Sequence, residues 1–363
     1  LEALKDRYEL TVLTGGPPDL DGLNRFYGTS LLRSHISVLS PSYLIRRAAR
    51  LDPDVGSIQL ASYLMRMARR YRKSFDLVMA AGFEEMDLGG PGLVYIHHPE
   101  LARFWKTHQD SRAGLTGLLQ GKTRPWTLVS GFRIERFKQN TILANSDWTG
   151  RRVHDAYGLP SKTVYPPVTA GASLLPWADR ENAFVASGRL VADKRMDWLI
   201  QVLSEVRKRR PGIQLHLVGS EDSRCEAREF LQILRGLIHA NRHWVHLHES
   251  LSREGLMELL GRTRYGIHAL VNEHFGMAPA EALMAGCIPF VHNSGGQVEI
   301  TGGNSRLCYQ DSEAVEKIAA VLDSPALQLE LLHSLSARRN LFTVERFMEE
   351  IRTAVQDLLS RGA

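Results

Sequence analysis

The sequence is poor in cysteine. Its three thiols, Cys225, Cys287 and Cys308, form no CxxC pair and leave one over in any pairing. That excludes a disulfide scaffold and points to a reducing compartment. Long apolar runs are absent too. No stretch approaches the roughly 18 apolar residues of a membrane-spanning helix. The opening "LEALKDRYEL" carries acids where a leader would be apolar, so no targeting segment is read there. Internal repeats and low-complexity tracts are also lacking, which excludes a solenoid.

What remains is a globular composition, with 44% apolar and 23% charged residues. A disordered or fibrous chain is excluded. The 363 residues imply about two domains at ~100–200 residues each. The net charge of +5 is uneven. Residues 1–170 hold 23 Lys and Arg against 16 Asp and Glu, a balance of +7, while residues 171–363 hold 22 against 24. The first half is either an ordinary basic surface or one that faces phospholipid, a phosphorylated acceptor or nucleic acid.

Short β-type runs alternate with helical patterns, as in α/β domains with parallel sheets. In the first half the expected strands are "YELTVLT", "DLVMAA", "GLVYI", "TILANS" and "KTVYPP". Helices are expected near 57–73, 126–139 and 147–157, the last capped by Ser146. The second half restarts with "AFVASG", then "IQLHLVGS", "WVHLHES", "YGIHAL" and "CIPFVHN", with a helix between each pair and Ser252 capping one of them. The opening residues read as the end of a helix running into a strand. A doubly wound domain begins with a strand, so a first strand and its turn are expected to be missing from this chain. Two such domains would face across a cleft, with the site at the strand ends.

Three motifs fall at those strand ends. In "NEHFGMAPAEALMAGCIPF", Glu273 lies in a loop before a helix and Glu281 one turn inside it. His274, Phe275, Gly276 and Met277 open that helix, where unpaired amides and the helix dipole make an anion site. A carboxylate one turn further on suits the hydroxyls of a ribose. In "SGRLVADKRMDWLI", Arg189 and Lys194 flank a strand-to-helix turn and suit a diphosphate. The segment Asn293–Gly296 is either a third contact to the same ligand through its amides or a plain turn.

The glutamate pair, the "GRL…K" run and the NSGG loop resemble the family 4 retaining glycosyltransferases of the GT-B fold. The strings "NEHFG", "HNSGG", "YIHHP", "ANSDWT" and "VYPPV" are most similar to the asparagine-linked-glycosylation branch. That branch adds α-1,2-mannose from GDP-mannose to a dolichol-linked oligosaccharide. The resemblance implies that Glu273 approaches the donor sugar and Glu281 holds ribose. It assigns the diphosphate to Arg189 and Lys194, and the sugar hydroxyls to the loop amides of His274, Phe275, Gly276 and Met277. His97, in "VYIHHPEL", corresponds to a cleft histidine near the transferred sugar. The implied division is an acceptor-side domain over 1–168, a linker over 169–182, a nucleotide-sugar domain over 183–340, and a C-terminal helix over 341–363 packing back on the first domain.

The expected activity is metal-independent hexosyl transfer with retention, with no cofactor beyond the nucleotide-sugar donor. The acceptor is a hydroxyl, on a polyprenyl-linked glycan in the first reading. A UDP-sugar transferase acting on a soluble acceptor is the alternative, and a non-catalytic lipid- or RNA-binding relative stands in a different class. The series His239, His243, His246 and His248 invites a metal, but no Cys or carboxylate completes a site. The helical run 63–73 sets Arg66, Arg69, Arg70 and Lys73 on one side. It reads as a solvated face or a peripheral contact with anionic membrane on the cytoplasmic side. Nucleic acid is disfavoured, because no aromatic platform is interleaved with the charges.

Overall fold

The computed structural model describes residues 1–49, 53–81, 85–99, 130–169, 175–220 and 225–362. The chain divides into two compact units. Unit 1 comprises Leu1–Val164 and Phe347–Ala363, and unit 2 comprises Tyr165–Arg346.

Unit 1 runs β1 (Leu10–Leu13), α1 (Leu20–Tyr27), β2 (Ile36–Leu39), α2 (Tyr43–Ala49), α3 (Pro53–Tyr71), β3 (Met79–Ala80) and β4 (Leu93–Ile96). It continues through α4 (Ile134–Phe137), β5 (Thr141–Ala144), α5 (Asp147–Tyr157) and β6 (Lys162–Thr163). Strands β1 and β2 form one parallel pair, and β3-β4-β5-β6 form a second parallel sheet. Strand β4 is buried along its whole length, as a strand covered on both faces must be. Its alternate residues enter two different cores. Val94 and Ile96 pack with Leu64, Met65 and Ala68 of α3. Leu93 and Tyr95 pack with Ile351, Ala354 and Val355 of the C-terminal helix Val344–Gly362. Helix α5 begins as its sequence predicts. Ser146 Oγ accepts from the Thr149 amide at 3.0 Å, a cap worth about 1 kcal/mol.

Three expectations need correction here. Strand β2 was not read from "ISVL", a four-residue run whose edge position leaves Ser37 and Val38 exposed. Residues Leu1–Arg7 form successive turns rather than a regular helix. Of the helix expected over 126–139, Ile134–Phe137 is helical, and 126–129 lie outside the described residues.

Unit 2 runs β7 (Glu181–Ser187), α6 (Met196–Arg209), β8 (Gln214–Gly219), α7 (Cys225–Ala240), β9 (Val245–Glu249), α8 (Arg253–Arg262) and β10 (Thr263–His268). Then come α9 (Met277–Met284), β11 (Ile288–His292), α10 (Gln297–Ile300), β12 (Cys308–Tyr309), α11 (Ala314–Asp323) and α12 (Pro325–Arg338). Its six parallel strands are ordered β12-β11-β10-β7-β8-β9. From β7 the chain winds outward through β8 and β9, then returns to place β10 on the other side of β7. The winding direction therefore reverses between β7 and β10. In such sheets that crevice, at the carboxyl ends of the strands, is where ligands bind. Phe184 of β7 stacks on Tyr265 of β10 at 4.8 Å between ring centroids, so the strands that flank the crevice share one aromatic core.

Candidate functional site

The loops after β7 and β10 bring Lys194 and Glu273 together. Past β7, a single turn of 3-10 helix, Ala192–Lys194, turns Lys194 inward. Its neighbour Arg195 forks onto Asp311, at 3.0 and 2.7 Å. Lys194 Nζ donates to Glu273 Oε2 at 3.0 Å. The same oxygen lies 3.2 Å from His268 Nε2, at the end of β10. The other oxygen, Oε1, accepts from the backbone amide of His274 at 3.1 Å. Burial acts to raise the Glu273 pKa. The His268 hydrogen bond and the Lys194 charge outweigh it and hold the carboxyl well below its ordinary range.

Glu281, one turn inside α9, is buried to 7% exposure. It is hydrogen-bonded and ion-paired to Arg253, the first residue of α8. Arg253 also donates to Thr169 Oγ1 at 3.1 Å. Burial raises the Glu281 pKa, and the Arg253 guanidinium opposes that shift. A buried carboxylate without a partner would cost several kcal/mol. Arg253 supplies that partner for Glu281 in an otherwise apolar helix.

The segment Asn293–Gly296 is a buckle on the Glu273 loop. Ser294 Oγ accepts from the Asn272 amide at 2.8 Å, and the Gly296 amide donates to the Glu273 carbonyl at 2.7 Å. A Cβ on Gly295 would stand 2.2 Å from the Glu273 carbonyl oxygen. Only glycine permits that approach, and its φ of +75° requires glycine as well. The sequence left this segment between a ligand contact and a plain turn, and the structure gives it a third role.

The remaining sequence-named residues fall out differently. Gly276 begins α9 at φ +101°, and Met277 is 41% exposed. The Phe275 ring is core, packed against Tyr165 and Phe342. Arg189 is exposed just beyond β7. His97 lies in unit 1 at the end of β4, half-buried and edge-on to Tyr95 at 4.6 Å. Burial lowers its pKa, against a backbone hydrogen bond at Ala81. His246 and His248 meet His216 of β8, whose Nδ1 lies 3.0 Å from His248 Nε2. Burial and the two neighbouring imidazoles push His216 down to about 4. Among the described residues, no three His, Cys, Asp or Glu side chains are disposed to hold a metal. Arg69 leaves the basic face of α3, pairing with the buried Asp87 at 3.5 Å and donating to the Ser130 carbonyl.

Sequence reasoning missed His268 and Arg253. Each was legible only as a position, His268 as the last residue of the strand before Glu273 and Arg253 as the residue after the Ser252 cap.

Residues 174–338 match the family model described as glycosyl transferases group 1. That match falls within unit 2. A GDP-Man:Man(3)GlcNAc(2)-PP-Dol alpha-1,2-mannosyltransferase of Dictyostelium discoideum is 28% identical over 44% of this chain and 35% of its own length. The enzyme of the same name from Neurospora crassa is 25% identical over 71% of this chain and 54% of its own. The chain thus spans about a third to a half of the curated relatives it matches. A solved glycosyltransferase from Rickettsia africae ESF-5 superimposes with a TM-score of 0.64 at 14% identity, over 99% of this chain and 93% of its own. The fold is GT-B.

Proposed function

We propose that this protein transfers mannose from GDP-mannose, with retention, to a hydroxyl of a lipid-linked glycan. The observation that carries the reading is the paired-carboxylate crevice of unit 2. There Glu273 and Glu281 lie beside the winding reversal of the sheet, Glu273 paired with Lys194 and Glu281 with Arg253. The printed names of the similar mannosyltransferases supply the donor and the lipid-linked acceptor. In this reading Glu281 accepts the ribose hydroxyls and Glu273 meets the donor sugar. Arg189 and Lys194 neutralise the diphosphate as its bond to the sugar breaks. The diphosphate therefore competes with Glu273 for Lys194. The amides of His274, Phe275, Gly276 and Met277 face the sugar hydroxyls, and His97 supplies a hydrogen bond from unit 1. Unit 1, Leu1–Val164 with Phe347–Ala363, rather than residues 1–168, forms the acceptor-side domain, and the protein works peripherally on the cytoplasmic membrane face. No helix among the described residues is long and apolar enough to cross a membrane.

Calorimetric titration of the wild type and of Glu281→Gln with GDP, UDP and ADP tests the reading. GDP is expected to bind best. The variant is expected to lose at least about tenfold in affinity, since hydrogen bonds to a charged group contribute roughly 1.5–3 kcal/mol each. Preference for UDP would move the reading to the soluble-acceptor alternative. Equal GDP affinity in both proteins would remove Glu281 from the ribose.

A further inference from the structure

Two arginines of unit 2 converge on one glycine with no acid between them. Arg180 ends the turn before β7 and is buried to 7% exposure. Arg339 opens the 3-10 turn Arg339–Phe342 after α12 and is half-buried. Both reach Gly286, in the turn between α9 and β11. A Cβ on that residue would stand 2.9 Å from Arg180 Nη2 and 3.3 Å from Arg339 Nη2. An ion with a hydrogen-bond reach of about 3 Å can therefore touch both nitrogens at once. Glycine keeps that point clear, at a φ of +81°.

The partners of each guanidinium show what is left over. Arg180 Nε donates to the Leu175 carbonyl at 2.9 Å, and Nη1 to the Thr263 carbonyl at 3.2 Å. Its Nη2 donates to nothing among the described residues. Arg339 Nε is buried without a hydrogen bond. Among the described residues no carboxylate pairs with either group. Glu181, next to Arg180 in the chain, pairs with Arg262 instead, at 3.3 Å. Burial lowers the Arg180 pKa, the Cys287 sulfur opposes that shift, and the Arg339 charge adds to it. Cys287 is no counter-ion at neutral pH, since burial pushes its own thiol up to about 11. Buried charges persist when they are paired, and here two cations share one corner without an anion.

We propose that Arg180 and Arg339 bind a small oxyanion of the phosphate class beside Gly286. Its oxygens accept from Arg180 Nη2 on one side and from the Arg339 fork on the other, as guanidinium groups hold phosphate oxygens. Arg180 lies too deep for an acidic side chain of another protein, so the occupant is a free ion that enters past Arg339. The site is separate from the proposed diphosphate contacts. Arg180, Thr263 and Gly286 lie at the starts of β7, β10 and β11, whereas Lys194 and Glu273 follow the ends of β7 and β10. The ion ties together three segments distant in sequence and stabilises unit 2. The inference does not depend on the transferase reading.

Thermal melting of the full chain, without nucleotide, in inorganic phosphate and in chloride at matched ionic strength tests the proposal. Phosphate at tenfold over its dissociation constant, itself measured by calorimetric titration, is expected to raise a melting midpoint by about 3–6 °C beyond chloride. Arg339→Gln is expected to lose that rise and, relieved of the repulsion with Arg180, to melt no lower than the wild type in chloride. That second readout separates a lost ion from a damaged fold. Arg339→Lys, which keeps the charge without the fork, is expected to retain part of the rise. Lys194→Gln is expected to retain all of it. A wild type whose midpoint moves no further in phosphate than in chloride overturns the proposal. So does a rise that survives in Arg339→Gln. A rise lost in Lys194→Gln and kept in the Arg339 variants would place the phosphate in the Glu273 crevice and overturn it as well.

Discussion

Glu273 carries a testable consequence at the scale of one side chain. Its folded pKa lies below the ordinary 4.5 because His268 and Lys194 favour the carboxylate more than burial opposes it. A depressed carboxylate pKa contributes stability that is present above the unfolded value and lost as pH falls through the folded one. Wild type should therefore exceed Glu273→Gln in thermal midpoint at neutral pH. The gap should narrow steadily once pH drops below about 4.5. Melting curves from pH 7 down to pH 3 check this, and a gap that stays constant across the range would refute the linkage. Both glutamates were legible in the sequence because a carboxylate near a helix start is a local pattern. Their partners were not. Arg253 reaches Glu281 from 28 positions away, and Lys194 reaches Glu273 across 79. The sequence reading set Lys194 on the diphosphate without seeing that it already holds the carboxylate beside it.

At the scale of elements, buried parallel strands were the most legible feature. "LVYI", "TILA" and "IPFVH" are continuous apolar runs, and all three are strands of sheets covered on both faces. Strand β2 escaped because a four-residue edge strand with half its side chains in solvent has no such run. The loop Asn293–Gly296 shows a different limit, since its function lies in what its glycine lacks. Gly295→Ala forces a Cβ to 2.2 Å from the Glu273 carbonyl oxygen at a φ of +75°. That should cost about 1–3 kcal/mol of stability. By shifting Glu273 it should also lower turnover by about a hundredfold, as a displacement near 1 Å does. Gly303→Ala is the control. Its φ is +70° with nothing within 4 Å of the added carbon, so it bears the backbone strain without touching the site. Transfer rates and melting midpoints measured on both variants decide between them. Equal loss of turnover would show that strain, and not the position of Glu273, is responsible.

For the whole molecule, the distribution of apolar contacts leads to the last prediction. The cores of unit 1 draw on α3, β4, β5 and the C-terminal helix. Those of unit 2 draw on β7, β8, β10 and β11 with the helices α6 to α12. Each core is built from its own unit's residues, so scanning calorimetry should resolve two transitions. The proposed nucleotide site lies wholly in unit 2, through Lys194, Arg253, Glu273 and Glu281. GDP at a hundredfold over its dissociation constant adds about 2.7 kcal/mol to whichever state binds it. For a unit of this size that should raise one midpoint by about 5–10 °C and leave the other in place. The cavity variant Ile142→Ala, in β5, assigns the peaks, because it should lower only the transition that GDP does not move. Glu281→Gln should abolish most of the GDP shift without displacing the unit 1 peak. A single transition that GDP and Ile142→Ala both move would mean that the two cores melt as one. In that case a nucleotide bound by unit 2 would stabilise unit 1 as well.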